Sequence, residues 1–80
     1  MPNLSSNRQS PSLVALGCAL KRLRQRRGVS QEKLALLAGV DRSYVGQVER
    51  GDNNVALLTL VKLATALEVS LANLFQEAGL

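Results

Sequence analysis

The chain has 80 residues, a formal net charge of +4 and a sequence pI near 10.0. A chain of this length forms one domain with a modest core, so we expect no separate catalytic or ligand-sensing domain. Because Tyr44 and Phe75 are its two aromatic residues, we expect a core of Leu, Val and Ala, and therefore packed helices rather than a sheet.

The composition gives little support to metal, cofactor or membrane chemistry. The sequence has no histidine and one cysteine, a set that provides neither an internal disulfide nor a zinc site. We expect Cys18 to be a small buried hydrophobic residue. No apolar run is long enough to cross a bilayer and no secretory signal is evident, so we expect a cytoplasmic protein without a cofactor or a small-molecule ligand. An enzyme is the least expected class, because convergent carboxylates and a phosphate-binding glycine loop are also missing.

Residues 1–11, which read MPNLSSNRQSP, are polar and show no apolar periodicity. We therefore predict a disordered tail there and a single domain over residues 12–80. The first predicted helix begins at Ser12 and ends at Gly28. Its buried stripe has spacings of three and four residues and consists of Leu13, Leu16, Leu20 and Leu23.

The same helix carries a dense basic run, formed by Lys21, Arg22, Arg24, Arg26 and Arg27. Positive charge at this density indicates a polyanionic partner. A solvated helix face explains the same run equally well. A basic amphipathic helix at a membrane surface is a weaker interpretation, because the run lacks bulky interfacial aromatic residues.

Two short helices follow, separated by a glycine. Ser30 is a good amino-terminal cap for the second predicted helix, which ends at Gly39. Its apolar positions have helical spacing and comprise Leu34, Ala35, Leu37 and Ala38. Asp41 is the expected cap of a third helix that runs to about Arg50.

Two more helices are predicted after a polar loop at residues 51–54. The fourth helix has a weak amino-terminal cap, Ala56, and an expected inward stripe of Leu57, Leu60, Val61, Ala64 and Leu67. Leu58 leaves this helix apolar on more than one face, so we expect a partner to cover it. Ser70 caps a fifth helix that carries Leu71, Leu74 and Phe75.

The joint between the second and third helices, SQEKLALLAGVDRSYVGQV, has the spacing of a helix-turn-helix over residues 30–50. Gly39 can adopt the left-handed backbone conformation that a tight turn requires. Ala35 is small enough for the third helix to cross close above it. Val45 and Val48 are expected to face inward and to fix that crossing.

Residues 20–75, and most specifically the stretch SYVGQVERG, resemble the Cro/CI (Xre-type) family of bacterial and phage transcriptional regulators. The resemblance implies an all-α, five-helix, lambda-repressor-like domain. It also implies that the third helix enters the major groove of duplex DNA, while the second helix lies across the DNA backbone.

The resemblance assigns roles to individual positions. The residues expected to read bases are Arg42, Ser43 and Gln47. The residues expected to contact DNA phosphates are Gln31, Tyr44, Arg50, Asn53 and Asn54. For Tyr44, a place at the rim of the core is the alternative. The family also implies a scaffold ion pair between Arg24 and Glu49.

The family commonly forms dimers through its carboxyl-terminal end. The expected dimer interface comprises Leu58, Leu67, Leu71, Leu74 and Phe75. For Leu74, closure of the monomer's own core is an equally good explanation. A two-fold homodimer reads two half-sites about 34 Å apart, so we expect a palindromic or nearly palindromic operator.

Within the family, the short length and the stretch DRSYVGQVERG are similar to the controller proteins of restriction-modification systems. Those proteins regulate their own gene and the gene of the restriction endonuclease. Small phage-type repressors share the architecture. An antitoxin that covers a partner toxin and regulates its own gene is an alternative from a different class.

Overall fold

The computed structural model describes residues 9–80, which form five α-helices and, over that range, no strand. In chain order the helices are α1 (Pro11–Arg26), α2 (Gln31–Ala38), α3 (Arg42–Arg50), α4 (Leu57–Ala66) and α5 (Leu71–Ala78). The predicted all-α, five-helix fold is confirmed. The first helix packs against α3 and α5, and α2 packs against α3 and α4.

Serine caps fix the starts of three helices. The hydroxyl of Ser30 accepts a hydrogen bond from the Lys33 N–H at 3.0 Å, and that of Ser70 accepts from the Asn73 N–H at 2.9 Å. Ser10 does the same for α1. Asp41 and Ala56 stand at the caps of α3 and α4 without a side-chain cap hydrogen bond. The starts of α3 and α4 therefore lack the stabilisation that a side-chain cap gives.

The predicted boundary of the domain at Ser12 requires a correction. Ser10 caps α1, Pro11 is its first residue, and Gln9 is hydrogen-bonded to the segment after α3. Proline suits this position because the first helical N–H has no partner inside the helix. Residues 1–8 of the predicted disordered tail lie outside the described residues.

The core is built from small and branched aliphatic side chains. Its fully buried large members are Leu20, Leu34, Val45, Leu63, Leu67 and Leu74. Leu67 and Leu74 were predicted at a dimer interface, and that assignment is wrong, because both are 0 % exposed within one chain. They close the monomer's own core.

The predicted inward stripe of α4 is also partly wrong. The buried positions are Leu60, Leu63, Ala64 and Leu67, whereas Leu57 and Val61 are exposed. When a helix is apolar on several faces, the spacing of its apolar residues does not show which face is buried. As a result, Leu57, Leu58 and Val61 form an exposed apolar strip, which we call the α4 strip.

Cys18 was predicted to be buried, and it is exposed. Leu16, Ala19 and Leu20 define the buried side of α1. Cys18 lies about 200° around the helix axis from Leu16, so it faces away from the core.

Among residues 9–80, no single helix has both the length and the hydropathy needed to cross a membrane. Helices α4 and α5 reach that length and composition only when taken together, and the pair is bent by 95°. Both helices supply buried leucines to the core described above.

Gly17 allows α1 to lie directly on the end of α3. A Cβ atom built at Gly17 would be 2.3 Å from the Val48 carbonyl oxygen and 2.6 Å from that of Glu49. Real Cβ atoms do not approach backbone this closely, so only glycine permits the observed helix spacing.

We predict that Gly17→Ala lowers the free energy of unfolding by roughly 1–3 kcal/mol, because the added methyl group must push two helices apart. Urea denaturation followed by circular dichroism measures the loss. Cys18→Ala, one position along and exposed, is the control and should change stability by less than about 0.5 kcal/mol. Equal midpoints for both variants would contradict the close contact.

Candidate nucleic-acid interface

The turn between α2 and α3 sets the direction of α3. Gly39 ends α2 with φ 72°, and its N–H donates to the Leu36 carbonyl. The Val40 N–H reaches back to the Ala35 carbonyl at 3.0 Å. This pair of hydrogen bonds is a Schellman-type helix end, which fixes the path of the chain into the next helix.

Helix α3 has one buried face and one polar face. Val45 and Val48 are buried, at 0 % and 2 % exposure, as the sequence predicts. Helical geometry places residues 42, 43, 46, 47 and 50 together within an arc of about 140° on the other side. Arg42 and Ser43 are exposed and Gln47 is half-buried. All three predicted base-reading residues therefore lie on one accessible face.

A buried ion pair holds α3 against α1. Arg24 Nε donates to Glu49 Oε2 at 2.7 Å, and Arg24 Nη2 donates to Glu49 Oε1 at 3.1 Å. The same guanidinium donates to the Val29 carbonyl at 2.9 Å. The structure thus contains the ion pair that the resemblance assigns to the scaffold. The Arg24 side chain also fixes the loop between α1 and α2 through its hydrogen bond to Val29.

Gln31 connects this pair to the exposed face of α3. Its side-chain NH2 donates to Glu49 Oε1 at 2.9 Å, and its carbonyl accepts from Arg42 Nη1 at 3.4 Å. A carboxylate only accepts and a guanidinium only donates, so the two ends of the amide have one consistent orientation. In the structure Gln31 bridges Glu49 and Arg42, and its contact with a phosphate stays a prediction.

The segment after α3 is anchored to the same face. Asn53 Nδ2 donates to Gln47 Oε1 at 3.1 Å, and Arg50 Nε lies 3.1 Å from Asp52 Oδ2. Asn54 is exposed. Of the predicted phosphate contacts, Arg50, Asn53 and Asn54 therefore lie at one end of α3, and Gln31 lies beside its start.

Tyr44 lies half-buried against the core. Burial raises the pKa of its phenol, and a side-chain hydrogen bond with Thr59 partly offsets this effect. Both the phosphate role and the alternative, a place at the rim of the core, fit this position.

Most arginines of the basic run at the end of α1 form ion pairs within the chain. Arg22 Nε and Arg26 Nη1 bind the Glu77 carboxylate at 2.8 and 2.9 Å, and Arg27 Nη2 lies 2.8 Å from Glu68 Oε2. Hydrogen bonds from Arg26 and Arg22 lower the pKa of Glu77. Together with Arg24, these residues link α1 to the rest of the fold. The run therefore has a structural role, and its interpretation as a polyanion-binding stripe stays a prediction, because Arg22, Arg26 and Arg27 keep 43–60 % of their side chains exposed.

The predicted dimer residues are divided between surface and core. Leu58 is 75 % exposed, and Leu71 and Phe75 are half-buried against the core. Leu57 and Val61, which the sequence assigned to the inward stripe, accompany Leu58 on the surface. Sequence periodicity missed them because α4 is apolar at most positions.

The described residues contain no group of three or more His, Cys, Asp or Glu side chains that could hold a metal ion. The site is instead a polar helix face, which is positioned by a turn and a buried ion pair. This arrangement defines a helix-turn-helix protein.

Comparisons with known proteins agree with this class. A family model described as "Helix-turn-helix" matches residues 20–74. The chain belongs to this family, and the predicted resemblance to its Cro/CI (Xre-type) members is confirmed.

The relatives include restriction-modification proteins. The chain is 48 % identical over 52 residues to control protein C.SmaI of Serratia marcescens, a match covering 65 % of this chain and 62 % of that protein. The crystal structure of the restriction-modification controller protein C.AhdI from Aeromonas hydrophila superposes with a TM-score of 0.78 at 56 % identity, covering 79 % of this chain and 96 % of that chain. A third relative, the controller protein C.Esp1396I, was solved as a tetramer in complex with its natural 35-base-pair operator. It has a TM-score of 0.81 at 30 % identity and covers 88 % and 92 % of the two chains.

We predict that Arg24→Met destabilises the fold by roughly 3–5 kcal/mol, because it leaves the Glu49 carboxylate buried without its ionic partner. Arg26→Met is the matched control. Its side chain is 60 % exposed, and surface ion pairs contribute little, so its effect should be several times smaller. Urea denaturation of both variants measures the difference. Similar losses would show that the Arg24 pair behaves like an exposed one.

Proposed function

We propose that this chain is a restriction-modification controller protein, a transcriptional regulator that binds a palindromic or nearly palindromic operator in double-stranded DNA as a homodimer. It regulates its own gene and the gene of a restriction endonuclease. The observation that carries the proposal is the exposed polar face of α3, which is aimed outward by the buried Arg24–Glu49 pair. The similarity to C.SmaI, C.AhdI and C.Esp1396I supports the assignment.

In this proposal α3 enters the major groove and its amino-terminal end reads base edges. Arg42 donates two hydrogen bonds to guanine, Gln47 pairs with adenine, and Ser43 contributes a shorter contact. Gly46 lies between Arg42 and Arg50 on the same face and is buried. The Arg50 guanidinium covers this position, since a Cβ atom built there would lie 3.1 Å from Arg50 Nη1.

Phosphate contacts flank the reading face. Gln31 still has one N–H free of the Glu49 bond, because its amide group carries two. Arg50, Asn53 and Asn54 reach phosphates on the other side, and Tyr44 supplies its hydroxyl to a further phosphate. These contacts set register and affinity and make binding weaken with salt.

The homodimer forms through the α4 strip, Leu57, Leu58 and Val61, with Leu71 and Phe75 of α5 completing the interface. An exposed apolar strip of this kind marks an interaction surface. A second copy is the proposed partner, because the related controller C.Esp1396I is a tetramer on its operator. Leu67 and Leu74 are buried in the core of each subunit and take no part in this interface.

We predict that Arg42→Ala and Gln47→Ala each reduce the preference for the operator over unrelated DNA by about 1–3 kcal/mol, because each removes a bidentate base contact. Fluorescence anisotropy with a labelled duplex from upstream of the chain's own gene measures both affinities.

Lys21→Ala is the matched control for charge, since Lys21 is exposed on α1 and its substitution removes the same positive charge as Arg42→Ala. It should leave selectivity unchanged. If the Arg42 and Gln47 variants kept the wild-type preference, the base-reading assignment would be wrong. If the wild type did not distinguish the upstream duplex from unrelated DNA, the proposed function itself would fail.

The proposed dimer interface leads to a separate prediction. Leu58→Glu should convert the dimer to a monomer in sedimentation velocity experiments, because it places two carboxylates in an apolar interface. Leu36→Glu is a close control, because Leu36 lies on α2 and is 74 % exposed, against 75 % for Leu58. This variant should remain dimeric. A dimeric Leu58→Glu variant would exclude the α4 strip as the interface.

A further inference from the structure

Gln9, the residue before the cap of α1, is hydrogen-bonded to the carboxyl-terminal end of α3. The backbone N–H of Gln9 donates to the Gly51 carbonyl, and its side-chain Nε2 donates to the Arg50 carbonyl at 2.7 Å. The last carbonyls of a helix lack partners within the helix. Gln9 thus supplies donors to the end of α3 from 41 positions earlier in the chain.

The start of α1 is also packed directly on this end of α3. A Cβ atom at Gly51 would lie 2.9 Å from Val14 Cγ2 and 3.0 Å from the Val14 backbone nitrogen. Gly51 has φ 77°, a conformation that side chains resist. The contact of Gln9 and Val14 with residues 50–52, which we call the amino-terminal latch, therefore holds the turn that follows α3.

Asp52 connects the latch to the polar face of α3. Its Oδ1 accepts from Gln9 Nε2, and its Oδ2 lies 3.1 Å from Arg50 Nε. Its backbone N–H donates to the Gln47 carbonyl at 2.9 Å. The next residue, Asn53, donates to the Gln47 side chain. A shift of this turn would therefore disturb both Arg50 and Gln47.

We propose that Gln9 is a positioning residue of the DNA-reading surface. It holds the turn after α3 so that Asp52 orients the Arg50 guanidinium and Asn53 orients the Gln47 amide. Gln9 itself touches no base in this arrangement. The inference rests on the proposed function for its effect on DNA binding, but the latch can be tested in the free protein.

The first test needs no DNA. Hydrogen exchange of the Asp52 amide, measured by NMR in the wild type and in Gln9→Ala, reports local opening of the turn. We expect exchange to become roughly five- to thirtyfold faster, as follows from losing one or two hydrogen bonds of ordinary net strength. Amides in the core of α1 should exchange at nearly wild-type rates. An unchanged rate at Asp52 would overturn the proposal.

A nearly isosteric variant sharpens this test. Gln9→Glu keeps the shape but loses the side-chain donor and places a second carboxylate beside Asp52, so it should open the turn at least as much as Gln9→Ala. Gln25→Glu makes the same charge change at an exposed position of α1 and should leave Asp52 exchange unchanged. Equal effects of both glutamates would assign the change to net charge and contradict the latch.

The second test uses a double-mutant cycle on DNA selectivity. If Gln9 acts through Gln47, then Gln9→Ala lowers selectivity in the wild type but changes it much less in a Gln47→Ala background. A purely structural role would give losses that add, together with a lower urea midpoint, and would overturn the positioning role. If the wild type shows no operator preference while Asp52 exchange responds to Gln9→Ala, the proposed function fails and the latch stands.

Discussion

The buried Arg24–Glu49 pair is the interaction on which the rest of the structure depends. Its two charged groups lie in a core otherwise made of aliphatic side chains, where an unpaired charge is strongly unfavourable. The pair is satisfied only when α1, the loop at Val29 and the end of α3 are in their observed places. The hydrophobic contacts could tolerate other helix orientations more readily, because they have no direction. The ion pair therefore selects the orientation of α3.

Much of the fold could nevertheless be predicted from the sequence, because helix starts and turns depend on neighbouring residues in the chain. Ser30 and Ser70 mark helix starts, and Gly39 marks a turn, through local backbone chemistry that acts within a few residues. Val45 and Val48 were placed correctly because α3 has a clear polar face opposite them. In α1 the cap at Ser10 lay inside a polar segment, so composition alone put the start of the helix slightly too late.

The sequence could not show contacts between residues that are distant in the chain. It also misplaced residues where the apolar periodicity does not single out one helix face. Arg22 and Arg26 look like a free basic run until α5 brings Glu77 beside them. In α4 nearly every position is apolar, so the sequence could not separate buried Leu67 from exposed Leu57. The bridging place of Gln31, the close contact at Gly17 and the reach of Gln9 to the end of α3 also depend on packing between elements. No local pattern indicates them.

The distribution of charge has a consequence for how such a protein would bind DNA. Arg24 is buried in its ion pair, whereas Arg22, Arg26 and Arg27 keep 43–60 % of their side chains exposed, and Arg22 and Arg26 share one carboxylate. Exposed ion pairs are weak, and non-specific affinity grows with the number of neutralised phosphates, so these three arginines can still help to hold DNA of any sequence. In the proposed function, the preference for an operator then comes from the base contacts made by α3 and from joining two subunits.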